Sequence, residues 1–189
     1  IGAQANAALL VNDALEGDGA ANKLIGNAGN DTLRGGKGDD TLDGGAGDDL
    51  LEGGQGADII AGGAHTTGIG DTVDYSSSSG AVQINLTKQG TYSASTGLIT
   101  GANAQAQSGG DAQGDLLSGI ENVIGTAGND TVTGDALANI IEGGAGADTL
   151  DGGLGINTVS YHSSQSGVFV DLTKQDGIAA QAKEYDVGS

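Results

Sequence analysis

The sequence lacks proline, cysteine, methionine and tryptophan altogether, and it has one phenylalanine and four tyrosines among 189 residues. Without cysteine, no disulfide can cross-link the chain. With aromatics at 3%, a deep core packed around large rings is not expected. The apolar residues are largely alanine, leucine, isoleucine and valine, which favour a thin, repetitive core. No apolar run approaches the roughly 20 residues that a membrane-spanning helix needs.

Basic residues are also scarce, at 6 against 25 acidic ones, which leaves a net charge of −19. This balance argues against binding to nucleic acid, whose affinity comes from cationic contacts with phosphates. It argues against docking on anionic lipid for the same reason. A compact chain with this charge repels itself unless cations neutralise it. Because most of the acidic residues are regularly spaced, we expect bound cations rather than disorder.

Glycine is abundant, with 38 copies, and it marks a nonapeptide period. From Gly26 the chain reads GNAGNDTLR, GGKGDDTLD, GGAGDDLLE and GGQGADIIA. The frame extends back through 17–25 and 8–16, and it returns over 116–160. Position 8 of each repeat is aliphatic, and position 6 is Asp, Asn or Glu. Such a period predicts a solenoid of stacked short strands.

A longer duplication lies on top of the nonapeptides, because residues 72–89 resemble residues 158–175. In the two copies, apolar residues alternate with polar ones at Val82, Ile84 and Leu86, and at Val168, Val170 and Leu172. This period of two predicts a half-buried strand in each copy. We expect these strands to cover the open end of each roll. The first copy carries an insertion, His65 to Gly68, that the second lacks.

The predicted organisation follows from these repeats. It comprises a first roll with its capping strand over 1–86, a connecting loop or hairpin over 87–115, a second roll with its capping strand over 116–175, and the start of a further module or linker over 176–189. The chain begins with neither an initiator methionine nor a secretory signal. We therefore expect it to be a piece of a longer protein.

The spacing of the acidic residues suits calcium. If two nonapeptides complete one coil, residues 18 apart stack about 4.8 Å from one another. Carboxylates such as Asp31 and Asp49 would then repel each other across this gap. The width of the gap fits a Ca²⁺ ion, which takes oxygen ligands at about 2.3–2.6 Å on each side. Glycines let the turns take positive φ and bring carbonyl oxygens together. Without thiols or clustered imidazoles, zinc and copper are poor candidates, and several Ca²⁺ ions are expected.

The repeat resembles the RTX (repeats-in-toxin) family, whose motif GGxGxDxUx, with U aliphatic, is matched in full by residues 35–43 and 143–151. The resemblance implies an all-β, right-handed parallel β-roll that holds Ca²⁺ between coils through position-6 side chains and backbone carbonyls. The implied metal residues are Asp13, Asn22, Asp31, Asp40, Asp49, Asp58, Asp71, Asp130, Asn139, Asp148 and Asn157, with Gly29, Gly36, Gly38, Gly45, Gly47, Gly54, Gly56, Gly128, Gly144 and Gly146. Asn139 and Asn157 replace the carboxylate, so weaker sites are expected in the second roll.

The resemblance also implies type I export from a Gram-negative bacterium, an extracellular or cell-surface location, and folding on binding Ca²⁺. No catalytic constellation stands out, so the chain is interpreted as non-enzymatic. We expect the structural repeat region of an adhesin, toxin or surface-layer protein, with copies of itself or cell-surface glycans as further partners. The alternative is a non-catalytic accessory module of a secreted polysaccharide-modifying or hydrolytic enzyme. His65 and His162 are interpreted as loop or strand-edge residues with no catalytic or zinc role.

Overall fold

The structure is a computed structural model that describes residues 11–65, 68–164 and, for the backbone, 181–182. Short strands make up nearly all of its regular structure. They are β1 (Ala14–Glu16), β2 (Lys23–Ala28), β3 (Thr32–Lys37), β4 (Thr41–Ala46), β5 (Leu50–Gln55), β6 (Ile59–Ala64), β7 (Thr72–Asp74), β8 (Gln83–Asn85), β9 (Thr91–Ser93), β10 (Leu98–Thr100), β11 (Leu116–Ser118), β12 (Asn122–Ile124), β13 (Thr131–Thr133), β14 (Ile140–Glu142), β15 (Thr149–Asp151), β16 (Thr158–Ser160) and β17 (Gln181–Ala182). Two 3₁₀ helices span Leu86–Lys88 and Gly110–Ala112.

The strands form where the aliphatic residue at position 8 alternates with more polar neighbours. Successive side chains of a strand point to opposite faces, so position 8 faces the interior and positions 7 and 9 face outward. Leu33 in β3 and Leu42 in β4, for example, are completely buried. The position-8 residues form one continuous core from Leu24 to Leu150.

The two sides of the roll are parallel sheets. On one side, seven strands lie in the order β1-β3-β5-β7-β12-β14-β16. On the other side, β2-β4-β6-β11 form one sheet, and β8, β13 and β15 form a second, with β17 added antiparallel at its edge. Leu33 pairs with Leu51, and Leu24 with Leu42, which is the spacing of 18 expected for two nonapeptides per coil. The predicted parallel β-roll is confirmed.

The chain departs from simple coil-by-coil winding after β7. It forms β8, which pairs with β13 rather than with β6. It then makes the antiparallel β9–β10 hairpin and returns as β11, which pairs with β6. Leu117 in β11 pairs with Ile60 and continues the apolar column. The segment 87–115 therefore precedes a strand that adds to the edge of the sheet formed by β2, β4 and β6.

The first duplicated strand contains β8. It pairs with β13, so it covers the starting edge of the second block of repeats (116–160) rather than the end of the first block (8–61). This corrects the prediction that it covers the open end of the first roll. In the structure that edge is occupied by β11, whose Leu117 is in register with Ile60. The second copy, Val168 to Leu172, lies outside the described residues.

Strands from both repeat blocks share the seven-stranded sheet, since β7 pairs with β12 through Val73 and Val123. The division into units at 1–86, 87–115, 116–175 and 176–189 stays a prediction. Within the described ranges, no helix has the length and apolar character needed to cross a bilayer.

Candidate metal centre

The turns between strands stack into two rows along the roll. The first row brings together the position-6 residues Asp13, Asp31, Asp49, Asp71, Glu121, Asn139 and Asn157; the second contains Asn22, Asp40, Asp58 and Asp115, and then Asp130 and Asp148. In most steps of each row, a side-chain oxygen accepts a hydrogen bond from the backbone N–H of the preceding coil, whereas the Asn139 amide donates to the Glu121 carbonyl oxygen. Asp31 N–H donates to Asp49 Oδ1 at 2.7 Å, and Asp40 N–H donates to Asp58 Oδ1 at 2.8 Å. These bonds hold the carboxylates in the interior of the turns.

The second oxygen of these carboxylates has a different environment. Oδ2 is buried and has no hydrogen-bond partner in Asp31, Asp40, Asp49, Asp58 and Asp71. All five residues are at most 2% exposed. A buried carboxylate oxygen without a donor is costly unless a proton or a cation reaches it.

Backbone carbonyl oxygens approach the same space. A Cβ added to Gly26 would lie 2.3 Å from Asp31 Oδ2 and 2.5 Å from the Gly44 carbonyl oxygen of the next coil. A Cβ on Gly44 would meet Asp49 Oδ2 at 2.3 Å and the Gly62 carbonyl oxygen at 2.7 Å. Carboxylate and carbonyl oxygens thus converge with no donor between them, which is the ligand set that Ca²⁺ prefers.

The position-1 glycines are site residues that the sequence reasoning missed. It named the glycines at positions 2 and 4, and of these Gly29, Gly36, Gly38, Gly45, Gly47, Gly54, Gly56, Gly144 and Gly146 have positive φ, whereas Gly128 does not. Glycine at position 1 has another role, because any Cβ there would fill the space between the two oxygens. The repeated Gly-Gly pair was the available signal.

Burial makes these carboxyl groups weak acids. It raises the pKa of Asp49 to about 6 and the pKa of Asp58 and of Asp71 to about 7. Hydrogen bonds from the backbone oppose the shift, and neighbouring carboxylates add to it. The ionised row therefore needs positive charge from outside the chain.

The comparison with known families agrees with this geometry. The model of the RTX calcium-binding nonapeptide repeat matches four times, at residues 12–42, 35–64, 117–136 and 124–159, which together cover just over half of the chain. The chain belongs to this RTX repeat family. No curated protein matches the chain. The RTX matches leave out 65–116, the segment that contains the insertion, β8 and the β9–β10 hairpin.

The RTX repeats in this chain divide into two kinds of turn. In the first kind, the position-6 aspartate has the unpartnered Oδ2 described above. In the second kind, the N–H of position 2 donates to the position-6 side chain of the same turn. Thr126 N–H donates to Asp130 Oδ2 at 2.6 Å, and the Thr126 hydroxyl lies 2.9 Å from Asp130 Oδ1. Asp18 N–H donates in the same way to Asn22 Oδ1 at 2.7 Å. We call these self-capped turns, because the chain itself supplies the donors.

The residue at position 2 decides which kind of turn forms. Turns with an unpartnered Oδ2 have a left-handed residue there, such as Gly36 or Gly45. Asn27 takes the same conformation at φ 78°. Self-capped turns have Asp or Thr at position 2 without positive φ, as in the turn where Asp135 N–H donates to Asn139 Oδ1 at 3.0 Å. Among the RTX residues predicted to bind metal, Asp130, Asn22 and Asn139 therefore differ from the four aspartates at 31, 40, 49 and 58.

The remaining predicted residues lie at the ends of the rows. Asp13 is half-buried, and its N–H donates to Asp31 Oδ1 at 2.7 Å. Asp148 is 3% exposed, and its Oδ2 lies beside Gly143 as in the first block. The Asn157 amide donates to the Leu154 carbonyl at 3.0 Å, so this turn holds its own side chain.

Asp115 is a position-6 residue that the sequence reasoning missed, and it is completely buried. Its Oδ1 accepts from Asp58 N–H at 2.9 Å, and its Oδ2 accepts from the Tyr75 hydroxyl at 2.9 Å. Burial raises the pKa of Asp115 to about 8. The spacing of Asp115 and Leu117 matches positions 6 and 8 of the RTX repeat, which was the available signal. Here a phenol, rather than a cation, partners the second carboxyl oxygen.

Replacing Tyr75 by Phe tests this contact. The change removes the hydroxyl that donates to Asp115 Oδ2 without altering the packing of the ring, so we expect a loss of about 1–3 kcal/mol in the free energy of unfolding. Urea unfolding in excess Ca²⁺ measures it. Tyr92→Phe, on the half-buried hairpin tyrosine, is the matched control and should cost less. Equal losses in the two variants would contradict the assignment.

Proposed function

We propose that this chain is a calcium-binding structural repeat region of a secreted or cell-surface protein, and that it folds when it meets extracellular Ca²⁺. The observation that carries this proposal is the run of buried aspartate oxygens without donors, in successive coils, facing backbone carbonyls. Ca²⁺ bound there would neutralise carboxylates that the chain itself leaves without a partner. Membership of the RTX calcium-binding repeat family supports the choice of ion.

The charge of the chain supports coupling between ion binding and folding. A net charge of −19 opposes the compact state. The core is a single column of aliphatic side chains with little aromatic area. An ion at 100 times its dissociation constant adds about 2.7 kcal/mol per site to the free energy of unfolding. Several sites together are therefore comparable to the stability of a whole domain.

The two kinds of turn favour an uneven distribution of ions. Asp31, Asp40, Asp49 and Asp58 have the unpartnered oxygen, and all four lie in the first block. In the second block, Asp148 Oδ2 lies beside Gly143 in the same way, so we keep this turn among the calcium sites. Asp130 already accepts from the Thr126 N–H and hydroxyl. We therefore place the stronger calcium sites in the first block and the weaker ones in the second.

The proposed location and partners of the chain follow from the dependence of its folding on Ca²⁺. Export of an unfolded chain from a low-calcium cytosol, followed by folding outside, suits a protein with this dependence. The seven-stranded sheet makes the roll an elongated element that would extend or present other domains of an adhesin, toxin or surface-layer protein. Assembly with copies of itself would appear as Ca²⁺-dependent sedimentation of the purified chain.

A pair of matched variants tests the assignment of the sites. Asp49→Asn should weaken Ca²⁺ binding and yet stabilise the calcium-free fold, because an amide at the position of Oδ2 can donate toward the Gly62 carbonyl. Asp130→Asn should leave the number of tightly bound Ca²⁺ ions unchanged and destabilise the fold by about 1–3 kcal/mol, because the N–H groups of Val82 and Thr126 each need one of its oxygens.

Isothermal titration with Ca²⁺ measures the first effect, and thermal unfolding in metal-free and calcium-loaded buffer measures the second. Equal losses of bound Ca²⁺ in Asp49→Asn and Asp130→Asn would contradict the division into two kinds of turn. Unchanged Ca²⁺ binding in Asp49→Asn would contradict the calcium site itself.

A further inference from the structure

The insertion at His65 places an imidazole beside the middle of the first turn row, next to Glu121. Position-6 residues in this row are 18 apart from Asp13 to Asp49, but Asp49 and Asp71 are 22 apart because of the insertion. His65 Nδ1 lies 3.5 Å from Glu121 Oε2. Glu121 is the position-6 residue of the following coil, and it accepts from Asp71 N–H at 2.9 Å. Three side chains of metal-ligating type thus meet where the insertion joins the next coil.

The geometry of the three groups is compact. One ligand atom from each of His65, Asp71 and Glu121 lies within 4.8 Å of the other two. Asp71 is completely buried, and its Oδ2 has no hydrogen-bond partner. The Gly119 carbonyl oxygen approaches the same oxygen, since a Cβ on Gly62 would meet both within 2.4 Å. Glu121 is 7% exposed, while the His65 side chain is 32% exposed and leaves a path from solvent.

We propose that His65, Asp71 and Glu121 form a zinc site in the first turn row, next to the proposed calcium sites at Asp31 and Asp49. Ca²⁺ takes oxygen ligands, whereas an imidazole nitrogen together with carboxylates suits Zn²⁺. The Asp71 oxygen that no donor reaches would complete the set with the imidazole and the Glu121 carboxylate. This assignment gives Asp71 to zinc rather than to calcium, and it replaces the expectation that His65 has no zinc role. His65 and Glu121 are 56 positions apart, so no local motif announced them.

The test uses the full chain in excess Ca²⁺, with ZnCl₂ as the titrant in isothermal calorimetry. We expect about one Zn²⁺ per chain, and a loss of at least about tenfold in affinity in His65→Ala, because one of three protein ligands is removed. His162→Ala is the matched control, since it removes the other histidine, which is exposed. Its titration should equal that of the wild type.

A second measurement guards against loss of fold. Circular dichroism in excess Ca²⁺ should be identical for the wild type, His65→Ala and His162→Ala, since His65 lies at the surface of the insertion. Absence of Zn²⁺ binding in excess Ca²⁺, or equal Zn²⁺ affinity in the wild type and His65→Ala, would overturn the zinc site. A failure of calcium-dependent folding would instead appear in the circular dichroism alone, so the two proposals fail separately.

Discussion

Removal of calcium at neutral pH is expected to unfold the roll. The first block then has ionised aspartates at successive coils whose second oxygens face carbonyl oxygens of the next coil, as at Asp31 and Asp49. Each site lost removes about 2.7 kcal/mol at 100 times its dissociation constant, and four such losses are comparable to the 5–15 kcal/mol that stabilises a typical domain. We expect the β-sheet signal in circular dichroism to disappear in EGTA and the sedimentation coefficient to fall as the chain expands.

The specificity of this effect is measured by adding metal back. Ca²⁺ should restore the β-sheet signal with a steep, cooperative dependence, because adjacent coils share their ligands and stack on one another. Mg²⁺ at the same concentration should restore little, since it is smaller and demands near-octahedral geometry. Identical spectra and sedimentation in EGTA and in excess Ca²⁺ would contradict the proposed function.

Acidification is expected to restore the fold without any metal. The pKa values of the folded protein are about 6 for Asp49, about 7 for Asp58 and Asp71, and about 8 for Asp115, whereas an unfolded aspartate titrates near 3.9. Between these limits the folded state binds more protons than the unfolded state. Stability is therefore fully present near pH 4 and is lost as the pH rises through 6 to 8.

The size of the pH effect follows from the same shifts. One pKa unit corresponds to about 1.4 kcal/mol, so even a partial contribution from each of these coupled groups amounts to several kcal/mol. Thermal unfolding in metal-depleted buffers from pH 4 to pH 8 should show a melting temperature that falls steadily with pH. In excess Ca²⁺ the fall should be absent, because bound ions replace the protons.

Asp49→Asn provides the control for the pH experiment. The amide does not titrate, so the slope of stability against pH in metal-free buffer should be shallower than in the wild type. A melting temperature that rises with pH between 4 and 7 in metal-free wild-type protein would contradict the assignment of raised pKa values to this row.

The periodic part of the structure could be predicted from the sequence. An aliphatic residue at position 8 and a carboxylate or amide at position 6, repeated every nine residues, predict stacked strands with pairs 18 apart, as found for Leu33 with Leu51. The same spacing predicts stacked carboxylates and an oxygen-binding cation. The predictions of stacked strands and stacked carboxylates succeed because each coil contacts only its neighbours, so that local pattern and tertiary contact coincide.

The tertiary structure decided what depends on long-range order. β11 pairs with β6 while β8 pairs with β13, and no local period records either pairing. It also brings Tyr75 to Asp115 and His65 to Glu121.

Which aspartates are left with a carboxylate oxygen that no donor reaches was likewise decided by the fold. Asp49 and Asp130 occupy the same position of the repeat, but the Thr126 N–H points at Asp130 while no donor reaches Asp49 Oδ2. The sequence alone thus determined the roll and its preference for calcium. The direction of individual N–H groups determined which carboxylate oxygens have a donor and which do not. This direction is set by the backbone at position 2 and by neighbouring coils.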